Sequence, residues 1–235
     1  MEIKKVRTSG PANDFKVRSV SFFTVYLAEK RRVQVSNLTF SEEELSALQN
    51  RRFFELKSSI TKTMMREFSE LETSIKHELE KLGGQVAGLP EQSGKIFRGE
   101  NYKGFPYIVL DYPRSFNSKS VFAFRSMFWW GNGFSFTIHL QGEALEEQRA
   151  HLLSNWKNLK NKSFLICVNN TPWEYHFGDD NYRELEGFSE QEIEDKIRTD
   201  GFLKFSRKMD TNSYREILSF GTETFRLLIE EIRNR

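Results

Sequence analysis

The chain is short of the residues around which reactive or cross-linked proteins are built. One cysteine, Cys167, among 235 residues excludes an intramolecular disulfide and any cysteine-rich zinc site. The four histidines (His77, His139, His151, His176) form no HExxH or HxH pattern, so a metal centre would have to gather ligands from separate elements, and no metal is expected. GxGxxG, the phosphate-loop spacing GxxxxGK[ST], GxSxG and SxxK are all absent, and no cofactor is expected. No apolar run approaches the ~20 residues needed to cross a bilayer. The first residues, Met1 to Val6, hold neither an apolar core nor a small-residue cleavage site and do not read as a secretory signal. A net charge of +2 creates no global field for nucleic acid or membrane. A reducing, cytoplasmic location is the expectation, with no membrane partner.

What the chain does have is phenylalanine. Twenty-two copies, within 38% hydrophobic and 29% charged residues, require a packed interior and describe a globular domain. Charge is uneven only at the start, where residues 1–35 hold eight basic side chains against Glu2, Asp14 and Glu29. Gly10-Pro11-Ala12-Asn13 interrupts regular structure there, so residues 1–14 are expected to form a flexible basic arm and 15–235 a single domain. Ser19 to Leu27 is β-branched and aromatic, as in a strand.

A helical region follows. Ser41 and Glu44 form a capping box that starts a short helix ending near Asn50. From Phe53, apolar residues recur at Leu56, Ile60, Met64, Phe68, Leu71, Ile75, Leu79 and Leu82, which is 29 residues in eight steps, or about 3.6 each. That period predicts one long amphipathic helix with its stripe in the core, closed by Gly83-Gly84. The glycine-rich stretch 85–105 reads as a linker or hairpin connection.

The remainder alternates strands with helices. Phe105–Tyr112 reads as a strand, and Val121–Trp130 and Phe134–Gln141 flank the hairpin signal Gly131-Asn132-Gly133. A three-residue loop, with Trp130 opposite Phe134, puts Phe122, Phe124, Phe128, Phe136, Ile138 and Leu140 on one face. The other face then carries Arg125, Met127, Trp129, Thr137 and His139, with Arg125 directly across from His139. A helix over 143–160, strands Ser163–Val168 and Trp173–Phe177, a turn at Asp179-Asp180-Asn181, a Ser189-capped helix to Arg198 and a strand Phe202–Arg207 complete the middle. Ser213 is expected to cap a terminal helical region that Gly221 breaks in two, with Thr222 capping the last helix. The predicted fold class is α+β, a largely antiparallel five- to seven-stranded sheet packed by a long N-terminal helix and a C-terminal helix.

The order of an amphipathic helix at Phe53–Leu82, a hydrophobic meander at Phe105–Gln141 and a closing helix at Ser213–Ile232 with Thr224-Phe-Arg-Leu-Leu228 resembles a YktB-like family of uncharacterised bacterial proteins. The likeness covers roughly residues 38–232 and implies an α+β fold but no catalytic residue. The basic arm and the Trp129-Trp130 pair are not features that it implies.

Chemistry is sparse. Cys167 lies in the apolar run Phe164–Val168, where nothing lowers a thiol pKa, and reads as packing. Glu174 and His176 share a strand face as a weak pair. The ligand-binding candidates are Arg125, Trp129, Thr137 and His139: Arg125 for a carboxylate or other anion, Trp129 for stacking, Thr137 and His139 for orientation. The leading expectation is a non-enzymatic domain that binds a small molecule or a protein, or assembles with a second copy. The alternatives are an enzyme using a cleft around Arg125 and His139, and nucleic-acid binding through the arm, which the modest charge disfavours.

Overall fold

The computed structural model describes residues 38–82 and 94–232. The chain divides into two compact units, residues 1–51 and 52–235. The expected basic arm and the expected strand Ser19–Leu27 lie outside the described residues. In the first unit, helix α1 (Glu42–Gln49) starts at the anticipated capping box. Ser41 Oγ accepts the Glu44 N–H at 3.2 Å, and the Glu44 carboxylate accepts the Ser41 N–H at 2.7 Å. None of this helix is buried.

The second unit is built on a seven-stranded sheet in which every pairing is antiparallel. In chain order the strands are β1 (Lys95–Tyr102), β2 (Phe105–Phe116), β3 (Ser120–Trp129), β4 (Gly133–Gly142), β5 (Leu165–Cys167), β6 (Tyr182–Glu184) and β7 (Phe202–Met209). Their order across the sheet is β1-β2-β3-β4-β7-β5-β6. Four consecutive strands form a meander because each connection is a tight turn; β7 joins β4 only after the chain has laid down two helices and two short strands. A bulge interrupts β2 against β3 between Asp111 and Arg114, at the cis Tyr112–Pro113 peptide.

Alternation along the strands sorts the residues by face. Ile108, Leu110, Phe122, Phe124, Phe134, Phe136, Ile138, Leu140, Leu203 and Phe205 all enter one buried cluster with apolar residues of the helices. Those helices are α2 (Arg51–Lys81), α3 (Glu143–Asn155), α4 (Glu190–Thr199) and α5 (Ile217–Ile232). This is the inner face, and the cluster built on it takes up half of the phenylalanine.

Three local expectations are corrected. The α2 stripe is core only from Met64 onward, through Phe68, Leu71 and Ile75; Phe53, Leu56 and Ile60 are exposed. A 31-residue helix is roughly 46 Å long at ~1.5 Å per residue, and only its C-terminal half is seated on the sheet. Gly221 does not break the last helix, which runs unbroken from Ile217 to Ile232 after a short 3₁₀ turn capped by Asp210 rather than Ser213, so Thr222 caps nothing. Instead Gly221 is a point of close approach: a Cβ there would sit 2.7 Å from the Phe136 ring and 3.0 Å from Leu71. Finally, Trp173–Phe177 is not a strand; residues 168–181 loop out and return to β6, while the glycine-rich stretch contains β1.

Two substitutions test this packing. Leu71→Ala, at a fully buried position, should lose ~2–5 kcal/mol in chemical denaturation. Gly221→Ala would ordinarily gain about 1 kcal/mol of helix propensity. Here the clash with a buried ring should make it net destabilising, and an unchanged or raised melting temperature would show that the helix and sheet are less closely apposed.

Candidate functional site

Among the described residues, no helix packs on the opposite, outer face of the sheet. Alternation places Asp111 on β2, Arg125 and Trp129 on β3, Thr137 and His139 on β4, and Lys204 and Ser206 on β7 along it. All four residues singled out in the sequence therefore share this face. The pairing is displaced, however: Arg125 lies opposite Thr137, His139 opposite Ala123, and Trp129 opposite Gly133, so the hairpin loop is Trp130-Gly131-Asn132. A shift of two residues leaves every side chain on its own face, so the apolar pattern alone does not discriminate the two registers. The observed one lets Gly133 enter the ladder at φ 95°, with Met209 O where a Cβ would be, 2.6 Å away.

Residues 168–181 cover the middle of this face as a strap. The Val168 N–H donates to Asn181 O at 2.8 Å, bringing the ends together as in an Ω-loop. Between those ends, side chains hold the strap down. Lys204 Nζ donates to Pro172 O at 2.9 Å and to Glu174 O at 2.5 Å. From the β1–β2 turn, the Tyr102 hydroxyl accepts the N–H groups of Tyr175 (2.7 Å) and His176 (3.1 Å) and donates to Glu174 Oε2 (2.8 Å). Among the described residues, one backbone–backbone bond ties residues 169–180 to the sheet, from the Tyr182 N–H at the start of β6 to Gly178 O at 3.0 Å.

Beneath the strap lies a charged layer. Arg125 makes a two-pronged bond to Asp111, Nε to Oδ1 and Nη2 to Oδ2, both at 2.7 Å. The Tyr175 ring receives both cations, with Arg125 Cζ 4.5 Å and Lys204 Nζ 4.2 Å from its centroid. Lys204 is fully buried and makes no ion pair among the described residues. Burial, reinforced by Arg125, pulls its pKa down to about 8. Burial would also lower Arg125, but Asp111 outweighs it and the guanidinium pKa is raised. Burial pushes the Tyr175 phenol up to about 12.

The remaining named residues have settled positions. Thr137 Oγ1 is buried 2.7 Å from Ser206 Oγ. His139 is buried edge-on to Trp173 and Phe202, and neither ring nitrogen has a hydrogen-bond partner. Desolvation, then the charges of Lys204 and Arg125, drive its pKa down to about 3; Gln141 opposes this weakly from outside hydrogen-bond geometry. Trp129 is half-buried, packs on Tyr102 and Phe105, and donates its indole N–H to Tyr102 O at 3.2 Å, so it anchors the β1–β2 turn. Neither histidine here is arranged as a base: His139 has no group to orient it, and His176 Nδ1 already accepts the Gly178 N–H at 3.2 Å. Among the described residues, no three metal-ligating side chains converge.

Sequence reasoning missed Asp111, Tyr175, Lys204 and Tyr102. Two of these carried a readable signal. Asp111 ends the apolar run Tyr-Ile-Val-Leu, and Lys204 interrupts Phe-Leu-Lys-Phe; a charge inside such a strand needs a partner or cover. The place of Tyr175 over both cations became visible only with the strap. No protein-family model, no curated protein and no solved structure matches the chain.

His139 makes the layer pH-sensitive in a defined direction. Its folded pKa, about 3, lies below the unfolded value near 6.5, so the unfolded state binds more protons between those limits. The stabilisation is complete above pH 6.5 and is lost as pH falls toward 3. Relative to His139→Phe, the wild type should lose up to about 1.4 kcal/mol per pH unit across that window. Parallel stability curves for the two proteins would refute a buried neutral His139.

Proposed function

We propose that this chain is a non-enzymatic, cytoplasmic binding domain that takes a small anion on the outer sheet face, between the strap and the Arg125–Lys204 layer. One observation carries the reading: the fully buried Lys204 ammonium lies beside the partly buried Arg125, whose guanidinium already takes up the Asp111 carboxylate. A buried ammonium without a counter-ion is costly, and its three N–H donors find only two carbonyl oxygens. A bound anion would neutralise the excess charge and provide the stronger, charge-assisted acceptor. The sequence-derived candidate Arg125 thereby keeps its role toward anions, joined by Lys204, while Trp129 and Thr137 serve as its structural frame.

The enzyme alternative lacks support in the same geometry, because a reaction centre needs an oriented base or an activated nucleophile. Cys167 is buried, with its sulfur 3.6 Å from Asn181 Oδ1, and the two histidines are disposed as described. No helix among the described residues is long and apolar enough to cross a membrane.

Thermal denaturation at constant ionic strength tests the proposal against acetate, phosphate and benzoate. A ligand at a hundredfold excess over its Kd stabilises the native state by about 2.7 kcal/mol, a readily measured shift. At least one anion should raise the melting temperature of the wild type and fail to do so for Lys204→Met. Flat responses to all three would overturn the reading.

A further inference from the structure

Resting on that reading, we infer that the anion is an aromatic carboxylate, and that the Tyr175 ring occupies its place as an intramolecular plug. The two cations are arranged around a ring: Arg125 and Lys204 both lie over the Tyr175 face, at 4.5 and 4.2 Å from its centroid. Such contacts strengthen when desolvated, and Tyr175 is 8% exposed. The ring thus satisfies half of what the layer offers. The other half, the N–H donors of the Lys204 ammonium, is met by the neutral carbonyls of Pro172 and Glu174. An aromatic carboxylate supplies both parts in one molecule, its ring over Arg125 and a carboxylate oxygen accepting from Lys204 Nζ. Phosphate brings charge without a π face, and a saturated carboxylate brings charge and bulk without the ring quadrupole.

The strap is built so that the plug can leave. Around Tyr175 it is fastened by the side chains of Lys204, Tyr102 and Lys103, and the one backbone bond to the sheet, Tyr182 N–H to Gly178 O, lies at its far end. Segments held in this way open at a lower free energy than the strands beneath them. Displacing the plug nevertheless weakens apparent affinity by the fraction of time the slot is closed, so removing the Tyr175 ring should strengthen binding. An engineered cavity of about 150 Å³ holds a benzene ring, so the space left by a phenol is of the right order.

The probes are benzoate and cyclohexanecarboxylate, alike in charge and size and different in the π face, with phosphate as the ringless anion. Calorimetric titration of the full chain compares wild type, Tyr175→Ala and the double variant Tyr175→Ala/Lys204→Met. Tyr175→Ala should bind benzoate at least tenfold tighter than wild type and about tenfold tighter than cyclohexanecarboxylate, with the double variant losing the binding. Equal affinity of Tyr175→Ala for both ring acids, or no gain over wild type, overturns the aromatic inference while leaving anion binding intact. Absence of binding by any probe to either chain overturns both. Should Tyr175→Ala fail to fold, hydrogen exchange on the wild type decides: benzoate should speed exchange of the amides of residues 173–177, and cyclohexanecarboxylate should not. The same exchange with both acids, or none with either, overturns the inference.

Discussion

The need to shield two cations on a sheet face that no helix among the described residues covers governs the second unit of this chain. The inner face solves its own burial problem by ordinary means, with phenylalanine and leucine interleaved against four helices. The outer face has Asp111, Arg125 and Lys204 where an apolar layer would otherwise sit. One ion pair handles Arg125. Lys204 is left to backbone oxygens and ring faces, and these come from the strap and from Tyr182. The strap's position, the burial of His139 and the high pKa of Tyr175 all follow from that requirement.

Two kinds of cohesion therefore coexist. The core below the sheet is held by apolar area, which is non-directional and tolerates small displacements. The layer above is held by a few directional contacts in a low dielectric, each of which matters more singly. Loss of one inner-face methyl group weakens the whole domain in proportion to the cavity left. Loss of Lys204 or Tyr102 acts first on the strap, because their polar atoms bond the loop and not the ladder. This separation is what a binding domain requires: a cover that moves over a frame that does not. The half-buried Trp129 belongs to the frame, fastening the β1–β2 turn that carries Tyr102.

How much of this was legible beforehand depended on the range of the interaction. The α2 period, the capping boxes at Ser41 and Ser189 and the alternation of β3 and β4 are local, and each was readable from spacing alone. Face assignment survived a two-residue error in register because side chains repeat every two residues. For the same reason the partner of Arg125 was misread. Its real counter-ion, Asp111, sits on the preceding strand across a pairing that no local rule specifies. Gly221 was misread as a helix break because a close approach to Phe136 and Leu71 leaves no trace in its neighbours along the chain.

By itself, then, the sequence determined the α+β class, the long helix, the phenylalanine-rich face and the placing of Arg125, Trp129, Thr137 and His139 together, since these rest on periodicities of 3.6 and 2.0 that the backbone imposes. The tertiary structure alone decided what those residues face. The length of α2 that is buried depends on where its C-terminal half meets the sheet. Trp173–Phe177, read as a strand from its composition, lies in the strap as a loop, its backbone oxygens and amides taken up by Lys204 and Tyr102. The gathering of Arg125, Lys204 and the Asp111 carboxylate in one layer needs β2, β3, β4 and β7 side by side, and that adjacency is set by the free energy of the whole core, not by any segment of the chain.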